Sequence, residues 1–178
     1  MSSSSIPHLK TERLILSRIT KQDHSNIFKG LSHPEVIKFY GVQYSSIEET
    51  SEQMNWYENL EKAGSGMWWK IELNDSEAFC GAIGINDYHN EHQRAEIGFW
   101  LLPEHWGKRL MIEAAEKVIE YLFENINLHR LEAYVEVGNQ NSAKLLKKLD
   151  FAFEGCMRDC EVKNGEYISI DIYALINS

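Results

Sequence analysis

The segment from Leu101 to Ile112 has the clearest pattern for chemistry in this sequence. It leads from the end of an apolar strand pattern, through a turn, into the start of a predicted helix. The first N–H groups of a helix lack intrahelical acceptors and the helix dipole makes that end electropositive, so anions bind there. Gly107 allows close backbone approach, and Lys108 and Arg109 add positive charge. The spacing indicates a phosphate site, and an ordinary strand-to-helix loop explains it equally well.

The histidines and cysteines do not have the spacing of a metal site. Cys156 and Cys160 are four residues apart, without a second cysteine pair or a histidine cluster beside them. Metal sites built from cysteine and histidine need closer and repeated spacing, so no metal is expected. We therefore interpret all three cysteines, including Cys80, as reduced thiols with a structural role.

The elements before this segment predict a sheet with a few short helices. Residues 13–19 form a strand pattern, and residues 21–31 and 34–40 indicate short helical pieces. Ser46 and Glu49 have the spacing of a capping box, and the helix that follows is expected to end at Gly64. Three apolar segments at hairpin spacing then predict an antiparallel meander: residues 67–73, 78–85 and 95–102.

The second half alternates helix and strand. Residues 107–125 have the strongest helical periodicity of the chain, and residues 131–137 alternate as a half-buried strand. A helix over 141–149 follows, and the remaining residues predict a closing hairpin across Asn164-Gly165, a type I′ turn signal. This order predicts one βαβ crossover inside a mixed sheet.

Bulk composition limits the class of protein. With 178 residues, 43% of them hydrophobic, we expect one domain over residues 9–178 after a disordered tail at 1–8. The net charge of −9 argues against nucleic acid as a partner, because phosphate-backbone binders need a basic face. Neither a signal-peptide pattern nor an apolar run of ~20 residues is present, which predicts a cytoplasmic protein without membrane contact.

Several segments together resemble one family. Residues 106–114 (WGKRLMIEA) are similar to the acetyl-CoA pyrophosphate loop of the GNAT superfamily of N-acetyltransferases, especially the RimJ/RimL-type branch that acetylates ribosomal-protein N-termini. The resemblance covers roughly residues 9–176. The other matching segments, in the family's order, are residues 11–14 (TERL), 81–84 (GAIG), 95–101 (AEIGFWL), 148–151 (KLDF) and 153–155 (FEG).

The resemblance implies an α/β, GNAT-like fold. Its sheet would be mixed and mostly antiparallel, splayed after the fourth predicted strand and flanked by about four helices. The pantetheine arm of acetyl-CoA would lie on the exposed strand edge, where the Leu101 backbone would polarise the thioester carbonyl. Asn139 would bind the same arm, although a helix N-cap also explains this residue. The pyrophosphate would be held by Gly107, Lys108, Arg109, Leu110, Met111 and Ile112.

The implied reaction needs a base and an acid. An amine with a pKa of ~10 must lose a proton before it attacks, and the departing thiolate gains one. Glu96 shares a strand face with Gly98 and Trp100, so it is the base candidate if that face borders a cleft; a surface ion pair with Arg94 is the alternative. Ser142 is the candidate for orienting or protonating the thiolate.

Three positions depart from the family pattern. Glycine is usual where Arg109 stands, and Asp150 also replaces a glycine, which suggests a left-handed backbone that Asp tolerates. Many relatives outside this branch carry a tyrosine acid at Leu146, and leucine cannot protonate a thiolate. Arg109 and the absent tyrosine leave open an alternative function, a non-catalytic acyl-CoA sensor with the same fold.

The resulting expectation is an acetyl-CoA-dependent N-acetyltransferase, active as a monomer or homodimer. It would acetylate a primary amine by direct attack on the thioester, and a cationic acceptor would suit the acidic chain. A protein N-terminus and a small amine such as a polyamine are both open as that acceptor.

Overall fold

The computed structural model describes residues 6–178. Ile6 is buried, and the Pro7 carbonyl accepts a hydrogen bond of 2.9 Å from the Trp69 indole nitrogen. Ile6 and Pro7 therefore pack on the fold, while residues 1–5 of the predicted tail lie outside the described residues.

One mixed sheet organises the chain, in the strand order β1-β2-β3-β4-β5-β6-β8-β7. Every neighbouring pair is antiparallel except β5 and β6, which are parallel because α4 connects them as a crossover. The mixed, mostly antiparallel sheet is thus as predicted. Its strands are β1 Leu9–Lys10, β2 Leu14–Arg18, β3 Met67–Leu73, β4 Phe79–His89, β5 Arg94–Leu101, β6 Arg130–Glu136, β7 Ala152–Lys163 and β8 Glu166–Ile176.

Residues 6–178 contain five α-helices, where the resemblance implied about four, and the two short helical pieces predicted over 21–31 and 34–40 are the separate helices α1 and α2. Gly64 ends α3 in the left-handed conformation expected for a helix stop, with φ 66°. No helix of the described chain is long and apolar enough to cross a membrane. The helices are α1 His24–Leu31, α2 Pro34–Ile37, α3 Ser51–Ala63, α4 Leu110–Glu124 and α5 Gln140–Lys148.

The two faces of the sheet carry separate cores, because neighbouring side chains of a strand point to opposite faces. On one face, Trp69 and α4 belong to the larger core, which α5 also covers. On the other face, Trp68 and Trp100 pack with α1, α2 and α3. The crossover helix and the N-terminal helices therefore lie on opposite sides of β5.

The sheet opens between β5 and β6. These strands pair only at Arg94–Arg130, Ala95–Leu131 and Glu96–Glu132, and residues 97–101 of β5 have no partner on that edge. On the other side of the gap, β6 stays paired with β8 over its whole length. The fourth predicted strand is β5, so the predicted splay is confirmed.

The last two strands, β7 and β8, are joined by a tight turn at Asn164 and Gly165. Asn164 and Gly165 both have positive φ, 53° and 82°, as a type I′ turn requires, and they join β7 to β8. The predicted closing hairpin is confirmed. It ties to the N-terminal elements through Lys163, whose ammonium donates to the Lys38 carbonyl and pairs with Glu136 at 2.7 Å.

Candidate active site

The N-terminus of α4 presents unpaired amides, as the sequence predicts. The first bond within the helix runs from the Glu113 N–H to the Arg109 carbonyl at 3.2 Å, so the N–H groups of Leu110, Met111 and Ile112 precede it. Gly107 has φ 72°, and a Cβ built there meets no atom within 4 Å, so a ligand can reach this backbone. The segment fits a pyrophosphate group.

The two positions where the family pattern has glycine adopt left-handed backbone. Arg109 has φ 62° as the N-cap of α4, and Asp150 has φ 62° after α5. A side chain costs roughly 1–2 kcal/mol in this conformation, which glycine avoids. The left-handed backbone predicted at Asp150 is present. Arg109 has the same backbone conformation, so both positions keep the conformation that glycine favours although neither residue is glycine.

Leu101 directs its backbone toward the open edge of β5. The next residue, Leu102, donates to the Cys80 carbonyl of β4 at 2.8 Å, and backbone groups alternate between the two edges of a strand. The Leu101 carbonyl accepts a bond of 2.8 Å from the Trp106 indole, a partner that the sequence did not reveal. The Leu101 N–H is therefore the backbone group at this position that can polarise a thioester carbonyl.

A cleft of about 1080 Å³ runs through the splay and connects the two faces of the sheet. This volume is slightly above the usual range for ligand sites, which is about 300–1,000 Å³. Of the predicted site residues, all but Lys108 line it: Glu96, Leu101, Gly107, Arg109, Leu110, Met111, Ile112, Asn139 and Ser142. Lys108 instead lines a smaller pocket, and its carbonyl accepts from the Arg13 guanidinium at 3.1 Å.

Glu96 is half-buried in this cleft, and the alternative ion pair with Arg94 does not form. Arg94 pairs with Glu132 at 3.0 Å instead. Burial, followed by the negative charge of Asp87, raises the pKa of Glu96 to about 7, although a hydrogen bond with Asn86 opposes the rise. A carboxylate with this pKa can accept a proton near neutral pH.

The N-terminus of α5 brings Asn139 and Ser142 to the cleft. The Asn139 side-chain oxygen accepts from the Ser142 N–H at 3.2 Å, so Asn139 is the N-cap of this helix. Its amide nitrogen is a separate donor, and N-capping therefore does not exclude a bond to a ligand. Ser142 is half-buried and also lines the cleft.

Sequence reasoning missed two lysines of the site. Lys144 and Lys148 lie four residues apart on α5, on one helical face, and both line the cleft. With Arg109 they form a basic half of the cleft. The helical spacing was visible in the sequence, but only the tertiary fold brings this face to the same cleft as the α4 N-terminus.

Carboxylates and aromatic rings line the opposite end, called here the acidic half. Its carboxylates are Glu35, Glu52, Glu96 and Glu136, of which Glu136 is already paired with Lys163 at 2.7 Å, and its rings include Tyr40, Trp56, Trp68 and Tyr134. Across residues 6–178, no group of three or more histidine, cysteine or acidic side chains could hold a metal ion. The cleft thus pairs a basic half suited to phosphates with an acidic half suited to a cation.

Known proteins share this architecture. A family model described as an acetyltransferase (GNAT) domain matches residues 13–152. The uncharacterized N-acetyltransferase YoaA of Bacillus subtilis (strain 168) is 36% identical over 171 residues, which cover 96% of this chain and 97% of YoaA. The ribosomal-protein-serine acetyltransferase of Escherichia coli (strain K12) is 27% identical over 131 residues, covering 74% of this chain and 72% of that protein.

A solved structure gives the same fold. The crystal structure of spermidine N-acetyltransferase from Vibrio cholerae, in complex with CoA and spermine, aligns with a TM-score of 0.83 and 20% sequence identity. The alignment covers 93% of this chain and 96% of that one.

Proposed function

The chain belongs to the GNAT acetyltransferase family and is an acetyl-CoA-dependent N-acetyltransferase, and we propose that Glu96 is the base that prepares its amine acceptor. The observation that carries this proposal is the position of Glu96 at the last β5–β6 pair, where the sheet opens. A half-buried carboxylate with a pKa near 7 lies there in the same cleft as the α4 amides.

The basic half holds the acyl donor in this proposal. The thioester supplies an activated acetyl group, and the chain supplies its binding site. Amides of Leu110, Met111 and Ile112 bind the pyrophosphate, while Lys144 and Lys148 add positive charge. The N–H of Leu101 donates to the thioester carbonyl at the open strand edge, which favours attack on the carbonyl carbon.

The proton transfers belong to two side chains. Glu96, in its carboxylate form, takes a proton from the ammonium group of the acceptor, directly or through water, and frees the nitrogen lone pair. The hydroxyl of Ser142 orients the departing thiolate or relays a proton to it from water, which restores the proton of the hydroxyl. Asn139 supports this end of the cleft by bonding the donor's arm with its amide nitrogen.

The acceptor is a cationic primary amine. The acidic half attracts it, and the net charge of −9 gives the approach a favourable field. Relatives are named for two kinds of acceptor, since they include a ribosomal-protein-serine acetyltransferase and a spermidine N(1)-acetyltransferase of Escherichia coli. A protein N-terminus and a small amine such as a polyamine are therefore the two acceptor classes to compare.

We propose a cytoplasmic location as well. Cys156 and Cys160 are exposed and free, and Cys80 is free and buried. Exposed free thiols persist in reducing compartments, where their oxidation is reversed. The use of acetyl-CoA as substrate is consistent with the same location.

The test of this function is a thiol-release assay with acetyl-CoA across polyamines, amino-sugar antibiotics and N-terminal peptides. We expect release of free CoA that depends on the added amine, with the highest kcat/KM for a cationic acceptor. A thermal shift by acetyl-CoA without amine-dependent release would instead favour a non-catalytic acyl-CoA sensor.

A further inference from the structure

The geometry points to a second cation subsite in the acidic half, formed by Trp56 and Glu52, that holds an unreacted ammonium group of the acceptor. It rests on the proposed function, since it commits the acceptor to a small diamine or polyamine. The reacting nitrogen would lie at Glu96 and the second ammonium at the Trp56 ring.

Helix α3 places both residues of the subsite on the cleft. Glu52 and Trp56 are four residues apart, so they share a helical face, and both line the cleft. Trp56 is 38% exposed, so its ring is accessible to a ligand in the cleft. An ammonium group over an indole ring is stabilised by the ring's electron density, and tryptophan is the strongest of the aromatic residues in this contact.

Within the described chain, the other two carboxylates of α3 form ion pairs, and Glu52 does not. Glu58 pairs with Lys62 at 2.7 Å, and Glu61 pairs with Arg18 at 2.8 Å. Glu52, which faces the cleft, has no lysine or arginine partner within 4 Å among residues 6–178. Its charge is thus available to a cation that enters the cleft.

A rigid aromatic floor connects the subsite to Glu96. Trp68 lies across Gly84 and Gly98, since a Cβ built at either glycine would come within 2.4 to 3.0 Å of the indole. Trp56 stands edge-on to Trp68 with a centroid distance of 5.8 Å. Gly98 is two residues from Glu96 on β5, about 7 Å along the strand. Glu96, Trp68 and Trp56 all line the cleft, so a linear amine bound between Glu96 and Trp56 would pass the exposed edge of Trp68.

The chemistry of the lining favours a diamine over a peptide. The acidic half offers rings for methylene groups and carboxylates for ammonium groups, and a polyamine consists of only these two parts. Lys38 also lines this half, but its ammonium lies over the Phe39 ring at 5.4 Å. A cation–π contact, the kind of contact proposed for Trp56, is thus already present in this cleft.

Two matched amines test the subsite. Cadaverine and n-hexylamine have the same chain length, and a methyl group replaces the second ammonium in n-hexylamine. Calorimetric titration of each amine into the protein saturated with CoA gives the ratio of their dissociation constants, and thiol release from acetyl-CoA gives the ratio of kcat/KM. We expect both ratios to favour cadaverine by about tenfold, a difference of about 1.4 kcal/mol.

Variants at Glu52 and Trp56 then test whether these two residues cause the preference for cadaverine over n-hexylamine. Glu52→Gln and Trp56→Leu should each reduce the ratio severalfold, and Trp56→Phe should retain part of it. Glu48→Gln, an exposed carboxylate four residues before Glu52, is the matched control and should leave the ratio unchanged.

The outcomes distinguish failure of the subsite from failure of the proposed acetyltransferase function. A ratio near one in the wild-type protein, a ratio that neither Glu52→Gln nor Trp56→Leu lowers, or a higher kcat/KM for N-terminal peptides than for every diamine overturns the subsite. If no amine releases thiol, the proposed function fails, and the binding ratio still decides whether the subsite exists.

Discussion

Glu96 is placed where a carboxylate destabilises the folded protein. Its pKa near 7 lies above the ordinary value of 4.5, because burial and the charge of Asp87 disfavour the ionised form. The folded state therefore holds this proton more tightly than the unfolded state, and the free energy of unfolding falls as pH rises from about 4.5 to 7. This loss is expected when a residue is retained for catalysis and not for stability.

Glu96→Gln should therefore raise the melting temperature while it lowers activity. The gain in Tm should be present at about pH 8, where the wild-type carboxylate is charged, and should shrink as pH falls toward about 4. Thermal unfolding of both proteins over this pH range measures it. A lower Tm for the variant at about pH 8 would mean that the carboxylate is stabilised in the folded state.

Glu113→Gln is the control with the opposite sign. Burial opposes ionisation of Glu113, but hydrogen bonds from Thr11 and Arg13 outweigh it and hold the pKa below its usual range. The charged form of Glu113 thus stabilises the fold above the ordinary pKa, and this stabilisation is lost as pH falls. Its replacement should lower Tm at about pH 8.

Arg109 combines a strained backbone with a useful charge, and two substitutions separate these effects. Arg109→Gly and Arg109→Ala both remove the cation from the α4 N-terminus, so both should raise KM for acetyl-CoA. Only glycine removes the cost of the left-handed conformation, so Arg109→Gly should be more stable than Arg109→Ala by about 1 kcal/mol. Chemical denaturation and KM measurements check both points; equal stability of the two variants would contradict the strain.

At the level of elements, the glycines of β4 and β5 shape the floor of the acidic half. A Cβ at Gly98 would lie 2.8 Å from the Trp68 ring. Gly98→Ala should push the indole aside, lower the free energy of unfolding by about 1–3 kcal/mol and raise KM for the amine, with little change in KM for acetyl-CoA. For stability, Gly41→Ala is the control, because a Cβ there meets nothing within 4 Å. Unchanged amine KM in Gly98→Ala would remove Trp68 from the acceptor site.

Elements with strong local signals were predictable from the sequence. The periodicity of α4 and the Asn164-Gly165 turn depend on neighbouring residues alone, and both agree with the structure. The predicted strand over 78–85 stops too early, since β4 continues to His89 through a bulge because β5 pairs with it. Strand pairing is a tertiary effect that a local pattern does not contain.

The site was predictable where the family pattern covers it and not where distant elements meet. The α4 amides lie on the cleft as the resemblance implies, and Glu96 lies on it because its strand face borders the cleft. The contribution of Trp56 depends on how α3 packs on β3, and the bond from Trp106 to the Leu101 carbonyl depends on the turn before α4. Neither contact has a signature in residue spacing.

At the scale of the whole molecule, the division of charge along the cleft predicts a dependence on salt. Exposed charges are screened beyond about 8 Å at 0.15 M ionic strength. For a cationic acceptor, kcat/KM should fall as ionic strength rises to this level, and the change should lie mainly in KM. A neutral amine should show a weaker dependence. If kcat/KM for the cationic acceptor is independent of salt, the acidic surface does not attract the substrate.

The central claim is that the splayed sheet joins a bound acyl donor to a base, Glu96. The pH dependence of kcat/KM for one amine, measured in the wild-type protein and in Glu96→Gln, tests it most directly. We predict that wild-type kcat/KM rises through an inflexion near pH 7, as Glu96 loses its proton. Glu96→Gln should lose this inflexion and about 10²-fold or more of the activity above it. The same profile and the same rate in both proteins would contradict the account.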